Sequence, residues 1–149
     1  MKKLIFIVFN LLVCLLLQTK IYTNEICNFS KENNHNYDEI EHLTIEYENI
    51  FKQEEKQYFV YFYSLSCRHC YELKNDIIGY ALCNKVRTYF VLECDKIKYG
   101  YDTNLTIGSD NIELLFIKGY PTLIEINDYV LSFNEAGKDN ILKILEQKN

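Results

Sequence analysis

Residues 58–70 read Tyr58-Phe59-Val60-Tyr61-Phe62-Tyr63-Ser64-Leu65-Ser66-Cys67-Arg68-His69-Cys70. The first six are apolar or aromatic without alternation, the mark of a strand buried on both faces. Ser64-Leu65-Ser66 is a short link. From Cys67 to about Cys83 the pattern turns helical, with Cys70, Leu73, Ile77 and Ala81 on one face. Thr88 to Cys94, rich in β-branched and aromatic residues, predicts a second strand. Strand, helix and strand in this order make a βαβ unit with parallel strands.

The pair Cys67-x-x-Cys70 therefore falls where a buried strand hands over to a helix. At that junction it reads as a dithiol–disulfide site. The helix N-terminus carries partial positive charge and free N–H groups, which favour a thiolate at Cys67. A thiolate is the species that attacks a disulfide sulfur. Cys70, one turn further in, can reach Cys67 and resolve the mixed disulfide. A passive structural disulfide is a second reading. A metal site is a third, but structural zinc takes four Cys or His ligands in two paired groups, and His35 and His42 have no paired spacing with this motif. Copper held by Cys67, Cys70 and His69 is the form of that reading that survives. Haem attachment needs His after the second cysteine, where Tyr71 stands. No metal and no organic cofactor is expected.

Upstream, Asp38 is expected to open a helix running to about Lys56, with Glu41 in capping-box position and Ile40, Leu43, Tyr47, Ile50 and Phe51 near helical spacing. Residues 24–37, polar and rich in Asn, read as a loose lead-in. Downstream, 95–108 is a long polar connection. Asp110 is expected to cap a short helix over 111–116. Pro121–Ile126 and Tyr129–Phe133 predict two strands joined at Asn127-Asp128. Gly137 ends that unit, and a last helix runs from about Lys138 to Gln147, burying Ile141, Leu142, Ile144 and Leu145.

The chain opens with Lys2 and Lys3, followed by the apolar run Leu4–Leu17, interrupted only by Asn10. Those 14 residues fall short of the roughly 17–25 of a spanning helix. Residues 1–23 therefore read as a secretory signal, with an uncleaved N-terminal anchor as the alternative. Their removal takes Lys2, Lys3 and Lys20 from 16 basic residues and nothing from 21 acidic ones, moving the net charge from −5 to −8. So acidic a chain has no electrostatic footprint for nucleic acid. Contact with a membrane is expected only through an uncleaved N-terminal segment. Export to a cell surface, periplasm, secretory lumen or the outside also places the cysteines where disulfides persist. The single domain is then 38–149.

From about residue 40 to 148 the chain resembles the thioredoxin-fold family. The resemblance rests on FVYFYSLSCRHC at 59–70, on FIKGYPT at 116–122, and on the closing hairpin, Gly137 and terminal helix. It implies an α/β fold with a central mixed sheet of about four strands, a βαβ unit followed by a β-hairpin and helix, flanked by helices. It implies that Cys67 and Cys70 are the redox-active, catalytic pair. It also implies a cis bond at Pro121, the one proline of the chain, with the Tyr120 backbone and Pro121 binding the substrate chain. The partners implied are client proteins with thiols or disulfides and a redox-regenerating partner.

The departures from the family pattern are specific. Ser66 stands where many members carry Trp, and Tyr61 where they carry a buried acid that takes the second thiol's proton. Arg68-His69 replaces Gly-Pro between the cysteines. Tyr120 is bulkier than the usual residue before the proline. Arg68 and His69 are expected to favour the Cys67 thiolate, which makes the disulfide a stronger oxidant. Glu93 is the candidate substitute for the missing acid. The expected activity is thiol–disulfide exchange on the oxidising side; the alternative is a redox-weak binding or accessory module of an export or cell-surface complex. Of the other cysteines, Cys14 falls within the signal and Cys27 on the lead-in. Cys83 and Cys94 are expected at opposite ends of the sheet, since the helix and second strand run antiparallel and their ends lie about 20 Å apart, whereas a disulfide needs Cα atoms within about 7 Å.

Overall fold

The computed structural model describes residues 34–83 and 86–148. The signal or anchor reading of 1–23, the lead-in up to residue 33, Cys14 and Cys27 lie outside the described residues. Four strands form one sheet: β1 (Gln57–Tyr63), β2 (Thr88–Leu92), β3 (Thr122–Asn127) and β4 (Val130–Ala136), in the order β2-β1-β3-β4. β1 pairs with β2 in parallel, Tyr63 opposite Leu92, and with β3 antiparallel, Phe62 opposite Thr122. Helix α1 (Arg68–Leu82) makes the crossover between β1 and β2, and α2 (Lys138–Gln147) follows β4. The mixed four-stranded sheet and its two long helices are those the sequence predicts.

Every side chain of β1 from Tyr58 to Tyr63 is buried. Phe59 and Tyr61 look toward the helices, where Phe59 meets Tyr80 of α1 at 6.1 Å between ring centroids. Leu73, Ile77 and Ile78 of α1 and Ile141 of α2 are fully buried on that side. Tyr58, Val60 and Phe62 line the opposite face with Ile124, Ile126, Val91 and Leu131. Among the described residues, no long helix lies over that second face. It is covered by Tyr47, Ile50, Ile97, Leu115 and Ile117, all from segments of 3₁₀ turn and loop.

This corrects the helix expected over 38–56. Two 3₁₀ turns, Tyr37–Leu43 and Tyr47–Asn49, take its place. Between them Thr44 and Ile45 run extended beside β2, where the Ile45 N–H donates to the Phe90 carbonyl at 2.9 Å. Helical spacing and an alternate use of the same residues compete here, and edge pairing wins by covering an otherwise open strand. The cap moves as well. Asn36 is the N-cap, and Glu39 accepts from its backbone N–H at 2.7 Å, in place of Asp38 and Glu41. The end of the lead-in is docked on the domain: His35 N–H donates to Asn75 at 3.1 Å, and Tyr37 stacks on Tyr63 at 4.4 Å.

Phenolic hydroxyls replace helical hydrogen bonds as the ties for this irregular cover. Tyr47 donates to the Leu115 carbonyl at 3.2 Å, Tyr58 to the Ile50 carbonyl at 2.7 Å, and Tyr89 to Glu55 at 2.7 Å. The expected helix over 111–116 is a 3₁₀ turn, Ile112–Leu114, capped by Asn111, whose side chain accepts from Glu113 N–H at 2.9 Å. A further 3₁₀ turn, Thr103–Thr106, lies within the polar connection. The hairpin turn is Asp128-Tyr129 rather than Asn127-Asp128; both residues have positive φ, 48° and 68°, as a tight turn matched to strand twist requires. Asn127 instead completes the ladder opposite Val130. At Gly137 φ is +97°, a conformation that suits glycine, and the chain passes there from β4 into α2.

The 95–115 excursion returns to the sheet through a close approach. Gly100 N–H donates to the Ile117 carbonyl at 3.0 Å, and the Phe116 ring lies where a Cβ on Gly100 would fall, 2.3 Å from its nearest atom. Gly100→Ala must displace that ring. It is expected to cost about 1–3 kcal/mol of unfolding free energy in a denaturant titration, the usual range for overpacking; an unchanged midpoint would contradict the close approach.

Candidate active site

Cys67 is the N-cap of α1. Its Sγ accepts from the Cys70 backbone N–H at 3.3 Å and donates to the Tyr120 carbonyl at 3.5 Å. The geometry follows from the chain. β1 ends at Tyr63, the Ser64–Ser66 link turns, and the first free N–H groups of α1 point back at the sulfur, where they favour negative charge. The Tyr120–Pro121 peptide bond is cis, and Pro121, buried at the start of β3, brings the Tyr120 carbonyl against Cys67. The structure thus gathers Cys67, Cys70, Tyr120 and Pro121.

The two thiols differ in surroundings. Cys67 is partly exposed, while Cys70 is fully buried. Burial holds the Cys70 thiol well above the ordinary thiol range, and the neighbouring Cys67 thiol adds to the rise. Arg68 and His69 take a different course from the one their spacing suggested. Both turn to Glu72, Arg68 Nε at 2.9 Å from Oε1 and His69 Nδ1 at 3.5 Å from Oε2, and Lys138 of α2 reaches the same carboxylate at 2.8 Å. Glu93 stands at the expected end of the sheet, but it accepts from Ser64 Oγ at 2.5 Å and so serves the Ser64–Ser66 link.

Tyr120 is half-buried, and its hydroxyl accepts from Tyr99 at 3.0 Å, with the rings edge to face at 6.1 Å. This contact carries the polar excursion to the cis-proline loop. Around Cys67, Leu65 and Tyr71 are strongly exposed. Cys94 lies just past β2, at the Cys67 end of the sheet, and Cys83 caps the far end of α1. Among the described residues, no cluster of three or more His, Cys, Asp or Glu is placed to hold a metal ion. Sequence reasoning singled out Tyr61 only as the position of the missing acid, and it missed Tyr37, which it assigned to the lead-in. Both carry buried hydroxyls, and both phenols are pushed up by burial and by the nearby cysteines.

A parallel pair, a crossover helix and an antiparallel hairpin in the order β2-β1-β3-β4, with the dithiol facing a cis-proline, define the architecture. The chain has the thioredoxin fold. Similar solved structures include thioredoxin f2 of Chlamydomonas reinhardtii, 18% identical over 70% of this chain and 94% of that one, with a TM-score of 0.48. The short form of spinach chloroplast thioredoxin f is 11% identical over 70% of this chain and 90% of that one, at 0.45. The J-Trx1 fragment of ERdj5 is 19% identical over 74% of this chain and 53% of that one, at 0.45. No family model and no curated protein matches the sequence.

Within this thioredoxin fold, Glu72 ties the start of α1 to the start of α2. Hydrogen bonds from Lys138 and then Arg68 hold its carboxyl down at about 2, from an ordinary 4.5. A depressed carboxyl pKa stabilises the fold above the unfolded value and loses that contribution as pH falls through the folded one. The melting temperature of the wild type is therefore expected to exceed that of Glu72→Gln at neutral pH, and the gap to close between pH 4.5 and about 2. A gap independent of pH would contradict the ion-paired role.

Proposed function

We propose that this protein is a thiol–disulfide oxidoreductase that exchanges disulfides with client proteins through Cys67 and Cys70. The observation that supports it most is the asymmetry of the pair. Cys67 is partly exposed at a helix N-terminus against the Tyr120 carbonyl, and Cys70 is buried one turn behind with its N–H on the Cys67 sulfur. An accessible sulfur stabilised as thiolate can attack, and a sheltered one within reach can resolve. Cys67 is the attacking residue, Cys70 the resolving one, and the backbone at Tyr120 with Pro121 holds the client chain. The solved thioredoxins share the fold, and fold alone does not carry activity. The activity rests on this local geometry.

The site works in the oxidising direction, after export. Export is supported by Lys2 and Lys3 before the Leu4–Leu17 run. The oxidising direction is supported by the positive end of α1 and by the absence of an acid at position 61. With Arg68 and His69 engaged by Glu72, it is the N–H groups of the helix end rather than those side chains that meet the Cys67 sulfur. The client is a protein thiol or disulfide, and a separate redox partner regenerates the site.

Cys70→Ser is expected to accumulate mixed disulfides with clients, visible on non-reducing gels, and Cys67→Ser to trap none and lose insulin-reduction and scrambled-substrate activity. The potential of the purified wild-type domain is expected above the roughly −270 mV of a reducing thioredoxin and toward the roughly −120 mV of a strong oxidase. If both variants match the wild type in trapping and turnover, the accessory-module reading replaces this one.

A further inference from the structure

We propose that the Tyr61 hydroxyl is the hydrogen-bond donor that receives the negative charge of Cys70 each time the Cys67–Cys70 disulfide opens or closes. The inference rests on the oxidoreductase reading and deepens it. Tyr61 is fully buried in the middle of β1, and among the described residues its hydroxyl has no conventional hydrogen-bond partner with the pair as thiols. The group set against it is the Cys70 sulfur, itself fully buried. A phenylalanine would fill the same space without an orphaned hydroxyl, and Phe59 and Phe62 do so in the same strand. A buried donor without an acceptor is costly. A thiolate is a far better acceptor than a thiol, so ionising Cys70 satisfies both groups at once.

The chemistry passes through that thiolate in either direction. When a client thiolate attacks Cys67 in the disulfide form, a client–Cys67 bond forms, the Cys67–Cys70 bond breaks, and Cys70 leaves as thiolate with the electron pair. When a mixed disulfide closes, Cys70 gives its proton to solvent and attacks Cys67. The Cys67–client bond breaks, and the client sulfur leaves as thiolate and takes a proton from solvent. The client carries the redox equivalents in both cases. A phenol does not act as the base here, because burial keeps it protonated. It supplies a hydrogen bond where an acid would supply a proton acceptor, and that bond favours the charged sulfur. Tyr37, stacked on Tyr63, closes the same buried space from outside the sheet.

The test follows closure of a glutathione–Cys67 mixed disulfide against pH in the full chain. Tyr61→Phe is expected to slow closure about tenfold near neutral pH and to move its pH profile upward by about one unit, the scale of one charge-assisted hydrogen bond. Tyr80→Phe removes another orphaned buried hydroxyl, at the far end of α1, and is expected to leave the profile in place. A Tyr61→Phe profile that overlays the wild type overturns the inference while leaving the oxidoreductase reading standing. Failure of the wild type to form or close the mixed disulfide overturns both. A second measurement isolates the buried thiol. In Cys67→Ser, alkylation of Cys70 is expected to titrate about one unit lower than in the same variant carrying Tyr61→Phe, and coincident profiles overturn the inference.

Discussion

Between Tyr58 and Tyr63 no side chain reaches solvent, and that double-sided burial of one strand sets the rest of the structure. β1 lies between a parallel and an antiparallel neighbour, so its backbone is paired along both edges. Its side chains anchor the helical layer on one face and the irregular cover on the other. Burying six such residues, each worth about 1.5–3 kcal/mol relative to exposure, makes the register of β1 hard to slip. That register decides where Ser64 begins the turn and where Cys67 meets the first N–H groups of α1. The dithiol is placed by a strand that it does not belong to.

The sheet, the crossover helix, the closing hairpin and the terminal helix were legible in the sequence because each follows a single periodicity to its end. The dithiol was legible for a related reason, since the motif sits at a boundary between two strong patterns, and its facing proline was what the resemblance to the thioredoxin-fold family implied. The first segment was misread because Ile40, Leu43, Tyr47, Ile50 and Phe51 satisfy helical spacing, while Thr44 and Ile45 between them are better used pairing with β2. Spacing cannot register a neighbour 45 residues away. The cap at Asn36 and the turn at Asp128-Tyr129 were each displaced by one or two residues, because adjacent Asn and Asp residues compete for the same role. The approach of Arg68 and His69 to Glu72 is local, at i,i+4 and i,i+3, whereas the third group on that carboxylate, Lys138, comes from the other end of the chain and was beyond the reach of spacing.

Tyrosine does three kinds of work in this fold. Tyr47, Tyr58 and Tyr89 hydrogen-bond across to segments that lack a helix of their own. Tyr99 and Tyr120 join the polar excursion to the proline loop. Tyr61 and Tyr37 turn their hydroxyls into the buried space behind the cysteines. In each case the ring supplies apolar contact and the hydroxyl a directed bond. Hydropathy patterning reads the ring and is blind to the bond, so none of these hydrogen bonds was legible in the sequence.

The excursion between β2 and β3 has foundations of its own. Thr103 and Asn134 hold it to β4, with Thr106 bonded to both, and Asn134 also reaches the Phe116 carbonyl at 2.8 Å. Gly108 and Ser109 pair with Leu131 along the outer edge of the sheet. Its upper residues, Tyr99 and Tyr101, are exposed, and Tyr99 touches the residue before the proline. Footing and tip are thus borne by different parts of the molecule. Side chains at the tip can be exchanged without loosening the footing, and one of them, Tyr99, lies within two residue contacts of the Cys67 sulfur. The fold separates the α1 junction that holds the two cysteines from the exposed tip that reaches the residue before the proline.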